Sequence, residues 1–98
     1  MEHQPIIERQ INGGTQKVYR FDNGQGASVV RHMYSYGSDS GKWELAVIRF
    51  TGAGVWDWTL DYTAPITDDV IGHLDWHEVE SYLDQIAALP NQQLKEAA

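Results

Sequence analysis

The residues of this chain best suited to chemistry stand together in the run Arg31-His32-Met33-Tyr34-Ser35-Tyr36. It places a cation, an imidazole and two phenols at the end of a β-forming stretch, ahead of a Gly/Ser-rich loop. Tyr and Arg are favoured interface anchors, so Tyr34 and Tyr36 read first as recognition residues. His32 with Ser28 or Ser35 and an Asp would make a nucleophilic set, but no G-x-S-x-G elbow or comparable signature accompanies them. His73 and His77 stand four apart beside Asp75 and Glu78, a spacing that suits a metal when both rings share a helix face. Asp75 reads as a helix N-cap, which leaves His73 outside the helix. Asp68, Asp69 and Asp75 offer oxygens to a hard cation, without the spacing or turn glycine of a calcium loop. Thr67, Asp68 and Asp69 read equally as a local turn or cap. Gly24-Gln25-Gly26 is followed by the β-former Ala27-Ser28-Val29-Val30, whereas a phosphate loop needs a helix N-terminus there. The absence of cysteine excludes thiolate catalysis, disulfides and Cys-based zinc sites. These residues point to a non-enzymatic protein with no metal or other cofactor.

Charge supplies a second line of argument. The net charge is −7, and its placement is uneven. Residues 1–49 hold six basic and five acidic side chains. Residues 50–94 hold eight acids (Asp57, Asp61, Asp68, Asp69, Asp75, Glu78, Glu80, Asp84) and no Lys or Arg. A one-sign field of this kind repels nucleic acid and favours a basic partner, although solubility alone would also select it. No apolar run approaches the roughly 18 residues of a spanning helix. Met1-Glu2-His3-Gln4-Pro5 lacks the charged and apolar regions of a signal peptide. The expectation is a cytoplasmic protein without a membrane anchor.

The elements that position these groups follow from Gly-rich punctuation and apolar period. At 98 residues, 42% of them apolar, the chain is one domain with enough bulk for one core. Strands are expected over 5–11, 17–21, 27–33, 43–50 and 55–62, with turns at Asn12-Gly13-Gly14, 22–26, 35–41 and Gly52-Ala53-Gly54. Trp43, Leu45 and Val47 share one face while Ala46, Ile48 and Phe50 share the other, the pattern of a central strand. Trp56, Trp58, Leu60 and Tyr62 alternate with Val55, Asp57, Thr59 and Asp61, the pattern of a strand with one wet face. Asp75 and Glu78 form a capping-box pattern, and Val79, Tyr82, Leu83 and Ile86 recur at helical spacing until Pro90. Val70, Ile71 and Leu74 are too apolar for a solvated loop and predict a short strand or helical turn against the core. The fold class is α+β: a two-layer antiparallel β-meander of four to five strands with one C-terminal amphipathic helix on one face. The Trp56/Trp58/Leu60/Tyr62 face is expected to receive the Val79/Leu83/Ile86 stripe. Residues 1–4 and 91–98 are expected to fray.

The run Tyr19 to His32, with Ser35-Tyr36-Gly37, Trp43-Glu44-Leu45-Ala46-Val47 and Pro65 to Gly72, resembles small phage- and prophage-encoded accessory proteins over about residues 19–89. The resemblance implies a genomic setting and carries over no catalytic residue. Its implication is a stoichiometric binder of a host protein in the host cytosol, acting as an anti-defence or anti-CRISPR-like inhibitor. That partner would present a basic surface where nucleic acid otherwise sits. Asp57, Asp61, Asp68 and Asp69 are the residues expected to meet it, with Tyr34 and Tyr36 as anchors. Two alternatives remain open. One is a small-ligand-binding or enzymatic domain around Arg31, His32 and Tyr36. The other is a virion or assembly component that dimerises through a strand edge or the Trp face. The chain is expected to be a monomer or homodimer.

Overall fold

A computed structural model describes residues 3–11, 13–31, 42–63, 66 and 70–90. Six antiparallel strands form one open sheet, and a single helix lies across it. The strands are β1 (Ile7–Ile11), β2 (Gly14–Arg20), β3 (Gln25–Arg31), β4 (Trp43–Phe50), β5 (Trp58–Leu60) and β6 (Ile71–Leu74). The helix is α1 (Trp76–Ala87). β1 to β5 follow one another in sheet order as a meander, and β6 returns to pair with β4. Two short strands therefore share one edge of β4. β5 pairs its Ile48–Phe50 end, and β6 pairs its Trp43–Leu45 end.

Local chemistry accounts for the hairpins. Gly13 and Gly24 adopt φ of 78° and 85°, the left-handed region that glycine enters without a Cβ penalty. The extra residue in β6 opposite Trp43–Leu45 forms a bulge, where His73 takes a φ of 59°. Gly26 sits where a Cβ would collide with the Tyr19 carbonyl, so the β2–β3 hairpin admits nothing larger.

The helix begins as the sequence predicts. The Asp75 carboxylate accepts from the Glu78 N–H at 2.9 Å, and the Glu78 carboxylate accepts from the Asp75 N–H at 3.1 Å. Its buried stripe is Val79, Leu83 and Ile86. The face that it covers differs from the expectation. The stripe joins Tyr19, Ala27, Val29, Trp43, Leu45, Val47 and Leu74 in the main core. Trp58 and Leu60 pair with Phe50 and Ile48, so their side chains point to the opposite side of the sheet from Leu45 and Val47. There Val18, Ile48 and Phe50 form a smaller buried cluster under Ile7 and Trp58. β4 is thus apolar on both faces because both are covered, one by α1 and the other only by side chains.

Candidate functional site

Asp57 and Asp61 flank the exposed end of the sheet, and each also has a local structural task. The Asp57 carboxylate accepts from the Gly54 N–H at 2.9 Å, while its carbonyl accepts from the Thr51 N–H at 2.8 Å. A Cβ at Gly52 or Gly54 would come within 2.8 Å of that carboxylate, so two glycines make room for it. This closed loop replaces the first half of the expected 55–62 strand and shortens β5 to three residues. The Asp61 carboxylate accepts from Gln25 Nε2 at 2.6 Å, from Thr63 Oγ1 at 2.6 Å and from the Thr63 N–H at 3.0 Å. All these donors are neutral groups, so none brings a positive charge against either carboxylate. Asp68, Asp69, Tyr34, Tyr36 and His32 lie outside the described residues.

Around the two acids, four large apolar side chains are exposed: Val55, Trp56, Leu60 and Tyr62, with Trp56 at 44% and Tyr62 at 51%. The Arg9 guanidinium lies 4.6 Å from the centre of the Trp56 ring, and its Nε donates to Gln16 Oε1 at 2.8 Å. Gln16 passes the line on to Ser28 Oγ at 3.1 Å. Arg20 stacks on Phe50 at 4.4 Å and donates to the Gly52 carbonyl at 3.0 Å. Each arginine thus lays its guanidinium on an aromatic ring of this side of the sheet, Arg9 on Trp56 and Arg20 on Phe50.

The helix side carries a second cluster that sequence reasoning did not assemble. Trp43 and Trp76 meet at 5.2 Å between ring centres. The Lys17 ammonium lies 4.6 Å from the Trp76 ring and 3.9 Å from a Glu8 carboxylate oxygen. Arg31, expected beside His32 and Tyr36, stacks on Trp43 at 4.9 Å. A segment from His3 to Ile6 leads across this side into β1. His3 Nε2 lies 2.7 Å from Asp84 Oδ1, and its ring meets Phe21 edge-on at 5.1 Å. The bond to His3 holds the Asp84 carboxyl below its ordinary value.

Between this N-terminal strap and α1 opens a cleft of about 520 Å³, lined among others by Glu8, Lys17, Tyr19, Trp76, Glu80 and Leu83. Tyr19 is 1% exposed, and its hydroxyl is pushed up to about 12, first by burial and then by the charges of Glu8 and Glu80. No local signal marks this cleft, because its lining comes from three separate parts of the chain. Lys17 and Tyr19, two apart on β2, share one face of the sheet.

Among the described residues, no three His, Asp or Glu side chains come together as a metal-ligand set. None of the described helices is long and apolar enough to cross a membrane. Comparison with models of known families, with curated proteins and with solved structures finds no match for this chain.

Proposed function

We propose that this chain is a non-enzymatic binding protein that holds a partner protein against residues 55–62. The observation that carries this reading is the surface itself. Val55, Trp56, Leu60 and Tyr62 are exposed in one short stretch, interleaved with the negative charges of Asp57 and Asp61. Large aromatics at the centre of a patch supply most of the contact energy in protein interfaces, and surrounding charges select the partner's sign and speed its approach. A basic partner with an apolar centre is the complement. Rigidity supports the same reading. The loop is closed by Asp57, and the Trp56 ring lies against Arg9, so little ordering is needed on contact. The finer identification, a phage-type accessory protein that inhibits a nucleic-acid-binding host defence complex, is supported by the resemblance over residues 19–89 and by the acidic run from 50 to 94.

The test is affinity capture from host lysate with the wild-type chain and with the Trp56→Ser/Tyr62→Ser variant, each at low and high salt. A partner that depends on both aromatics and weakens as salt rises is the expected result. Equal recovery by the two proteins would remove this surface from consideration, and equal recovery at both salt levels would remove the basic partner.

A further inference from the structure

We infer that the cleft between the N-terminal strap and α1 is a binding site for an organic cation, a guanidinium or alkylammonium group held by Glu80 and the Tyr19 hydroxyl. This goes beyond the protein-binding surface at residues 55–62, which belongs to another part of the molecule. Three observations converge on it. The first is charge within the cleft. Lys17 stands 3.9 Å from Glu8, so these two offset each other. His3 and Asp84 form a second pair at 2.7 Å. Glu80 makes no hydrogen bond or ion pair within the described residues, and so leaves one net negative charge.

The second is an unpartnered polar group. The Tyr19 side chain is 1% exposed, yet its hydroxyl forms no hydrogen bond within the described residues. Buried hydroxyls are nearly always paired. Tyr19 borders the cleft along with Glu8 and Glu80, whose charges act on its hydroxyl. A phenol and a carboxylate bordering one space call for a ligand rich in N–H donors, with a positive charge. The third is shape. The volume lies in the ordinary range for small-ligand sites, and Trp76 borders it with Lys17 at 4.6 Å from its ring. An anionic ligand would meet Glu80 unfavourably, and a purely apolar one would leave both polar groups unpaired.

The chemistry is shared by an arginine side chain of a polypeptide and by a free alkylamine. Two probes separate them: Nα-acetyl-arginine amide and butylamine, each titrated against ¹⁵N-labelled protein while the Trp76 indole N–H is followed by NMR. The neutral isostere Nα-acetyl-citrulline amide is the control. A saturable shift is expected with at least one cation, with a Kd on the order of a millimolar, and none with the citrulline compound. Tyr19→Phe and Glu80→Gln each weaken binding about tenfold or more. Both keep the fold, since one preserves the ring and the other lies on the half-buried flank of the helix. Glu44→Gln, which removes an acid on the opposite sheet face, leaves binding unchanged. A shift of equal size with the citrulline compound overturns the inference. So does retention of affinity in both Tyr19→Phe and Glu80→Gln, or the absence of any saturable shift at Trp76.

Discussion

Asn23 sits in the β2–β3 turn, yet the greatest part of its work is done on the helix 63 residues away. Its Nδ2 donates to the Ile86 carbonyl at 2.8 Å and to the Leu89 carbonyl at 3.1 Å. Its Oδ1 accepts from the Gln25 N–H at 3.0 Å. The helix end needs this. Its C-cap is Ala88 in the right-handed region, with no glycine motif and no basic residue in the last turn. The Ile86 carbonyl also accepts from the Leu89 N–H at 3.2 Å, so Asn23 adds a second donor there and reaches past the helix end to Leu89. Asn23→Ala removes the donated bonds to Ile86 and Leu89, a longer one to Ala87 at 3.4 Å, and one accepted bond, at a site only 7% exposed. At about 0.5–1.5 kcal/mol each, plus the cost of groups left unpaired, the loss is about 2–4 kcal/mol. Asn23→Asp keeps the acceptor for Gln25 but faces a carboxylate toward the negative end of the helix. It is therefore less stable than the alanine variant at neutral pH. Its folded-state pKa is raised, so the protonated form's stability is present below the unfolded value near ~3.9 and is lost as pH rises through the folded one. The gap between Asp and Ala narrows in acid. Urea unfolding followed by tryptophan fluorescence reads all three proteins. The capping argument fails if Asn23→Ala lies within about 0.5 kcal/mol of wild type, or if Asn23→Asp equals or exceeds Asn23→Ala at neutral pH.

Three further outcomes follow from the same geometry. Leu45→Ala, under the helix, lowers stability by about 2–5 kcal/mol, whereas Leu60→Ala, 39% exposed, changes it by less than about 1 kcal/mol; paired denaturation curves check the two faces. Tyr19 ionises near 12 rather than 10, so its contribution is complete below 10 and is lost as pH rises through 12; ultraviolet titration of wild type and Tyr19→Phe resolves the late step, and its persistence in the variant would exclude the assignment. Asp84→Asn loosens the strap, so the Ile6 amide, which donates to Val18 at 2.7 Å, exchanges faster with solvent; unchanged exchange would show that the contact with His3 does not hold it.

Features written in consecutive residues were legible. The capping box needs only Asp75 and Glu78, and the stripe of Val79, Leu83 and Ile86 needs only helical period. β6 was legible from apolar residues with no reason to face water. The covered face of the sheet was not. Alternation from Trp56 to Tyr62 fixes which residues share a side of a strand, but not which side faces the helix. That depends on register, and the pairing of Phe50 with Trp58 turns this side away from α1. The alternation also overstated the strand, because Asp57 was read as a wet-face residue when its carboxylate closes a loop against Gly54. Asn23 and Tyr19 were invisible for another reason. Their roles depend on neighbours brought close only by the finished fold.

The same distinction separates two meanings of the acidic half. Asp57, Asp61, Asp75, Glu78 and Asp84 all accept hydrogen bonds within the chain. At Asp57, Asp61, Asp75 and Glu78 the donors are neutral backbone or side-chain groups, which orient a carboxylate without cancelling its charge. The field that would draw a basic partner from beyond contact range therefore survives, over the roughly 8–10 Å that salt permits. The carboxylates available for close contact are fewer than the charge count suggests. Among the described acids of this half, Glu80 alone makes no hydrogen bond or ion pair with the described chain. Long-range attraction and short-range recognition are thus carried by different residues. Neutralising a structural aspartate would confuse loss of fold with loss of attraction. Glu80→Gln and Trp56→Ser change recognition while leaving the capping, loop-closing and strap contacts intact.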